Sequence, residues 1–228
     1  GGTDGTALAS ARLLRTTILD CEAYGSGGGV AVFGNQAKLE LKDGGAFEQN
    51  VAKKGSGGAI YVDRGGQVEV ISSPAPVEGI ATKTTIVVTG QKNTAGTAGG
   101  FLMARHGSNI TISGQSVAVL LTDKNRAANG GAMAITEGAV ATIEKGASFT
   151  ASRNEAGHAA GGAIILKGDG AELVVRDTGT TVTFEENCAA ISGGAVHASS
   201  GGTFSFLRGA RVLMVRNVCK LYGKGMSL

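Results

Sequence analysis

The sequence predicts an all-β chain wound as a right-handed parallel β-helix, a solenoid with three strands per coil of about 31 residues and about six to seven coils. Three observations carry this. A double glycine followed by apolar residues recurs along the chain. An Asn stands a nearly constant distance ahead of it. The apolar residues between fall into segments too short for helices, and most of them alternate with period two.

Composition narrows the field first. Gly makes up 39 of 228 residues, Pro only 2, and there are seven Phe, three Tyr and no Trp. Gly shows no third-residue period, which excludes collagen. Apolar residues are 42 % of the chain, enough to build a core, which excludes a disordered polymer.

The double glycines are Gly28-Gly29, Gly57-Gly58, Gly99-Gly100, Gly130-Gly131, Gly161-Gly162 and Gly193-Gly194, at intervals of 29, 42, 31, 31 and 32 residues, with a degenerate copy at Gly223-Lys224-Gly225. The first strand of each coil follows them, as in Ile60 to Val62 or Ile164 to Leu166. The second is represented by Leu39 to Leu41, Val68 to Val70 and Ile110 to Ile112, the third by Ile86 to Val88, Val117 to Leu121 and Val182 to Phe184. Gly, Asp, Lys or Ser separates the segments, as corners require. Stacking such coils pairs every strand with its counterpart one repeat away, at a rise of about 4.8 Å. The right hand follows from parallel crossover connections.

The recurring Asn residues are Asn50, Asn93, Asn125, Asn154, Asn187 and Asn217, with Asp20 near the same slot in the first repeat. A buried Asn at a corner hydrogen-bonds turn backbone and its counterparts in adjacent coils, so these seven are expected to form a structural ladder. Two and four places after the second Gly, the pairs Ala31/Phe33, Ile60/Val62, Leu102/Ala104, Met133/Ile135, Ile164/Leu166 and Val196/Ala198 are expected to point inward. The place between holds Val32, Tyr61, Met103, Ala134, Ile165 and His197, expected outward. That column is apolar for an exposed face. It is either ordinary surface hydrophobicity or a contact surface. The long second repeat carries its excess around Pro74 and Pro76, a second candidate contact element, since insertions in repeats map to loops on one face. Cys188 and Cys219 are 31 residues apart, one coil, and form a candidate disulfide.

Little here points to chemistry. Polysaccharide-active enzymes of this fold need clustered carboxylates or acidic calcium ligands on one lateral face. Asp63, Asp123, Asp169 and Asp177 fall singly in separate turns, and Glu185-Glu186 is the lone adjacent pair. His106, His158 and His197 stand apart, and no orienting acid accompanies His106 and Ser108. No catalytic, cofactor-binding or metal residue is assigned, and the chain is expected not to be an enzyme. The three Cys match no zinc spacing. The 21 basic and 18 acidic residues leave a net charge of +3 with no basic cluster beyond Lys53-Lys54, so no nucleic-acid partner is expected. No apolar run is long enough for a membrane span. Asn109-Ile110-Thr111 is a lone glycosylation sequon.

The repeats resemble those of the polymorphic outer-membrane protein family, the Pmp-type autotransporters of chlamydiae. The resemblance lies in Gly57-Gly58-Ala59-Ile60 with Phe47-Glu48-Gln49-Asn50, in Gly193-Gly194-Ala195-Val196 with Phe184-Glu185-Glu186-Asn187, and in Gly161-Gly162-Ala163-Ile164. Gly130-Gly131-Ala132-Met133 is a near-match, and Phe-x-x-Asn is lost at Asn93, Asn125, Asn154 and Asn217. The resemblance implies a secreted, surface-displayed, adhesive passenger on a β-helical stalk.

The expectation is therefore a single β-helix domain over 1–228, a segment of a longer β-helical protein. Its expected role is a structural or adhesive module at the extracellular or cell surface, the outer membrane included. Its expected partners are a protein or glycan there, with further coils or another chain at both rod ends. The rivals are a polysaccharide-active enzyme of the same fold and a subunit of an extracellular filament.

Overall fold

The computed structural model describes residues 9–72, 85–207, 209–221 and 226–227. These residues build a β-solenoid of about six turns, coils ~31 residues apart, with every strand pairing parallel and no helix. Three long faces result. The glycine face stacks Val30–Phe33, Ile60–Asp63, Leu102–Ala104, Met133–Thr136, Ile164–Lys167, Val196–Ser199 and Met226–Ser227. The second face stacks Gln67–Ile71, Asn109–Ser113, Val140–Glu144, Glu172–Val175 and Thr203–Phe206; the third stacks Ile86–Gln91, Val117–Thr122, Ser148–Ser152, Thr181–Glu185 and Arg211–Val215. The two meet in one continuous strand, Ala37–Glu48, whose first half pairs with Gln67–Ile71 and whose second half pairs with Ile86–Gln91.

Each coil also carries a fourth strand, two residues long, directly after the Asn: Val51–Ala52, Thr94–Ala95, Arg126–Ala127, Glu155–Ala156, Cys188–Ala189 and Val218–Cys219. Its second residue points inward and is Ala in all but the last of these, because the corner leaves room for one methyl group. Ala52, Ala95 and Ala127 stack there as a small buried cluster of their own. Two residues are too few to show a period, so this strand escapes sequence patterning.

Backbone approach accounts for the double glycine. Gly57 sits at φ +66, where a side chain is strained. A Cβ on Gly58 would lie 2.2 Å from the Gly100 carbonyl oxygen of the next coil. The third residue is a fully buried Ala at 59, 132, 163 and 195. In the third coil it is Phe101, whose ring occupies the space over Gly90: a Cβ there would lie 2.3 Å from it. The third-face column holding Gly90 otherwise carries Phe47, Leu121, Ala151, Phe184 and Met214. A large residue on one face is thus matched by the absence of a side chain on another. Phe101 also meets Phe47 edge-on, centroids 5.6 Å apart.

Two sequence expectations need correction. The first coil reads Gly27-Gly28-Gly29, and its pair is Gly27-Gly28: Gly27, at φ +72, takes the place of Gly57. The register therefore slips by one. Val30 and Val32 pair with Ile60 and Val62. Val32 is buried, while Ala31 and Phe33, expected inside, face out. The Arg64 guanidinium covers the Phe33 ring at 4.7 Å. The second correction concerns the cysteines. Cys188 pairs with Val218, and Cys219 pairs with Ala189. That one-residue offset sends the two side chains to opposite sides of the strand. No disulfide joins them. Cys219 instead lies buried, its thiol 2.9 Å from the Ile191 carbonyl oxygen.

Candidate functional site

The Asn corner is a continuous amide ladder. Asn50 Nδ2 donates to Asn93 Oδ1 at 3.0 Å, and the link repeats from Asn93 to Asn125, Asn125 to Asn154, Asn154 to Asn187 and Asn187 to Asn217 at 2.9–3.0 Å. The second Nδ2 proton goes to the coil behind, onto the carbonyls of Ile18, Phe47, Gly90, Leu121, Ala151 and Phe184 in turn. In most coils the Asn Oδ1 also accepts the backbone N–H of the residue one coil back. Each interior amide thus has its donors and acceptor engaged, which is what allows it to be buried. Asp20 is not a member. It sits one place early, exposed at φ +53, and the slot belongs to Cys21, whose N–H donates to Asn50 Oδ1 at 3.1 Å. In the coil of Asn125 the Phe slot holds Leu121, not Thr122. Asp123 and Lys124 both take positive φ and add one residue before the Asn.

The outward apolar column is covered largely by the chain itself. Met103, Ala134 and Ile165 are at most 6 % exposed, and Tyr61 and His197 are half-buried. Their cover is a ledge between the short fourth strand and the double glycine. There Ala98, Ala159 and Ala160 pack on Met103, Ala134 and Ile165 as a second apolar cluster. The ledge is stitched coil to coil by bonds such as Gly99 N–H to the Asn129 carbonyl, 3.0 Å, and Gly130 N–H to the Ala160 carbonyl, 2.9 Å. Ser192 Oγ lies 3.0 Å from His197 Nδ1, and burial, with Lys167 nearby, pushes the His197 pKa down. Pro74 and Pro76 lie outside the described residues, as do Gly223, Lys224 and Gly225.

Opposite the ledge, the turn that ends the glycine face gathers residues the sequence left apart. His106 sets Nδ1 2.7 Å from Asp63 Oδ1 and Nε2 2.8 Å from Glu137 Oε2. Tyr61 donates its hydroxyl to Asp63 Oδ2 at 2.7 Å, and the Arg64 N–H donates to Asp63 Oδ1. The Arg105 guanidinium reaches Glu137 at 3.0 Å. Burial alone would raise the Asp63 pKa; hydrogen bonds from His106, Tyr61 and the Arg64 N–H overcome it and hold the carboxyl below its ordinary 3.8. Burial, then Asp63, pushes the Tyr61 phenol up to about 12. A register argument could have found this cluster. Arg64, His106 and Glu137 each precede a Gly, each has positive φ, and stacked in consecutive coils they read cation, imidazole, carboxylate.

Between ledge and turn runs an open groove with about 380 Å³ of free volume. Met103 and Ile165 form its floor. Ser56, Thr97, Ala98 and Asn129 line the ledge side, and Arg105, Thr136, Glu137, Lys167, Gly168 and Ser200 the turn side. Among the described residues no three His, Cys, Asp or Glu side chains are placed to hold a metal ion. Nor is any helix long and apolar enough to cross a membrane. No protein-family model matches the chain, and no curated protein or solved structure matches it either.

Proposed function

We propose that the chain is a structural and adhesive module of an extracellular or cell-surface protein, a stiff rod that presents lateral faces to a partner. One observation carries this most: the amide ladder links every coil from Asn50 to Asn217, so length and stiffness come from a repeated corner while the outer faces vary. The GGA and Phe-x-x-Asn repeats, with their resemblance to surface-displayed passengers, support the same role. Binding is favoured over polysaccharide cleavage because, among the described residues, Glu137 is the one carboxylate that lines the groove, and Arg105 and His106 already hold it. The test is retention under flow of beads coated with the chain on cultured epithelial cells. Beads coated with an unrelated β-solenoid of similar length serve as the reference. Greater retention supports the adhesive role, and equal retention overturns it.

A further inference from the structure

We propose that the lateral groove binds an acidic glycan laid along the rod axis, one that carries an anionic group once per disaccharide. This names the partner of the adhesive role and rests on that role. The argument starts from register. In register, the slot at the end of the glycine-face strands holds Phe33, Asp63, Arg105, Thr136, Lys167 and Ser199 in successive coils, and of these Arg105, Thr136 and Lys167 line the groove. Along the groove the slot reads cation, hydroxyl, cation, with the two cations two coils apart. At about 4.8 Å per coil the two cations stand roughly 10 Å apart along the axis, about the length of one disaccharide. The Thr136 hydroxyl falls between them.

Charge agrees with that spacing. Glu137 is engaged by Arg105 and His106, whereas no ion pair involves Lys167 among the described residues, so the unmatched charge of the groove is positive. The rim is also held in place before any ligand arrives. Buried Asp63 fixes His106, His106 meets Glu137, and Glu137 holds Arg105. An extended peptide is the poorer fit, because its side chains repeat along one face at about 7 Å, out of step with the cations.

Calorimetric titration with a hyaluronan octasaccharide, which carries one carboxylate per disaccharide, tests this. A chitooligosaccharide of equal length and an oligoglutamate peptide are the comparison probes. The expected result is binding of hyaluronan above both. Lys167→Glu is expected to weaken it about tenfold or more, the scale of one charge-assisted hydrogen bond. Lys38→Glu, on the second face, is expected to leave it unchanged. Lys167 is exposed, so folding of its variant is checked by an unchanged melting temperature, with Arg105→Gln as a second groove variant. Absence of hyaluronan binding overturns the proposal. So does oligoglutamate binding equally well, or Lys38→Glu weakening binding as much as Lys167→Glu. The bead assay separates the two levels. Wild-type and Lys167→Glu beads that adhere equally, with no hyaluronan bound, overturn the groove and leave the adhesive role standing. Hyaluronan binding with no bead retention supports the groove and overturns the cell-adhesive role.

Discussion

The Asn corner and the turn that ends the glycine face solve the same problem in opposite ways. At the Asn corner each coil uses the same residue for the same bonds, and the links are neutral, buried and one coil long. At the far corner Asp63, His106 and Glu137 are three different residues in three coils, a buried carboxylate, an imidazole and an exposed carboxylate, bonded only in that order. The first arrangement can be extended indefinitely, because an amide both donates and accepts. The second closes on itself after a few coils, because a carboxylate only accepts. A ladder that repeats without limit builds a rod; a finite charged cluster marks a place on it.

The largest expected effect comes from breaking the neutral corner. Asn154→Ala strands the Leu121 carbonyl, one Asn125 amide proton and part of the Asn187 acceptor in a buried site. Each such group costs about 1–3 kcal/mol, so a loss of roughly 3–5 kcal/mol is expected after partial relaxation. Because no charge is involved, the loss should be the same at pH 4 and pH 8 and at low and high salt. Denaturant unfolding across those conditions measures it. A penalty that varies with pH or salt would mean that the two corners are not electrostatically distinct.

The core offers an intermediate case, a position that varies but is compensated. Gly90→Ala drives a methyl group into the Phe101 ring and should cost about 1–3 kcal/mol. In a Phe101→Ala background the same substitution should cost little or become favourable, since the ring is gone. A double-mutant cycle reads the coupling. Additive losses would show that Phe101 does not fill the space over Gly90.

The charged corner should respond in the contrary way to the ladder. Asp63→Asn removes a carboxylate that accepts from His106, Tyr61 and the Arg64 N–H. A loss of about 1–2 kcal/mol is expected at neutral pH. The Asp63 pKa is depressed in the folded chain, so its contribution is fully present above the ordinary value of 3.8 and disappears as pH falls through the lower folded value. Melting curves of the native chain and the variant should therefore converge in acid and separate above about pH 5. A constant gap down to acid would mean that Asp63 stabilises through shape alone.

The same contrast explains what could be read from the sequence. The Asn column was legible because the backbone makes an identical demand in every coil, and so were the apolar segments, whose period is enforced by burial. The charged cluster was not, because Asp63, His106 and Glu137 share no residue type, and only their common place before or within a left-handed turn links them. Ala59, Ala132, Ala163 and Ala195 were visible as a motif, whereas Phe101 in the same slot makes sense only once Gly90 is seen across the core. The first-coil register failed for a local reason. Three glycines in a row offer two pairs, and only backbone conformation distinguishes Gly27-Gly28 from Gly28-Gly29. The cysteine pairing failed because one coil of separation fixes proximity, not the side of the strand a residue faces.

The smallest expected effect extends the neutral corner by one rung. Cys21 already occupies the Asn slot, its N–H donating to Asn50 Oδ1 at 3.1 Å, and the following Glu22–Ala23 strand pairs in register with Val51–Ala52. Its thiol is 3.4 Å from the Leu19 carbonyl oxygen and cannot replace an amide donor to Asn50. In Cys21→Asn the new Nδ2 is placed to donate to Asn50 Oδ1, as Asn50 does to Asn93. A gain of about 0.5–1.5 kcal/mol is expected, one net buried hydrogen bond, offset in part by the exposure of this coil. Unfolding of the Cys21→Asn and Cys21→Ser variants side by side separates the amide from mere loss of the thiol: Asn should gain and Ser should not. If both gain equally, or neither does, the ladder draws its strength from burial between two flanking coils rather than from the amide-to-amide link itself.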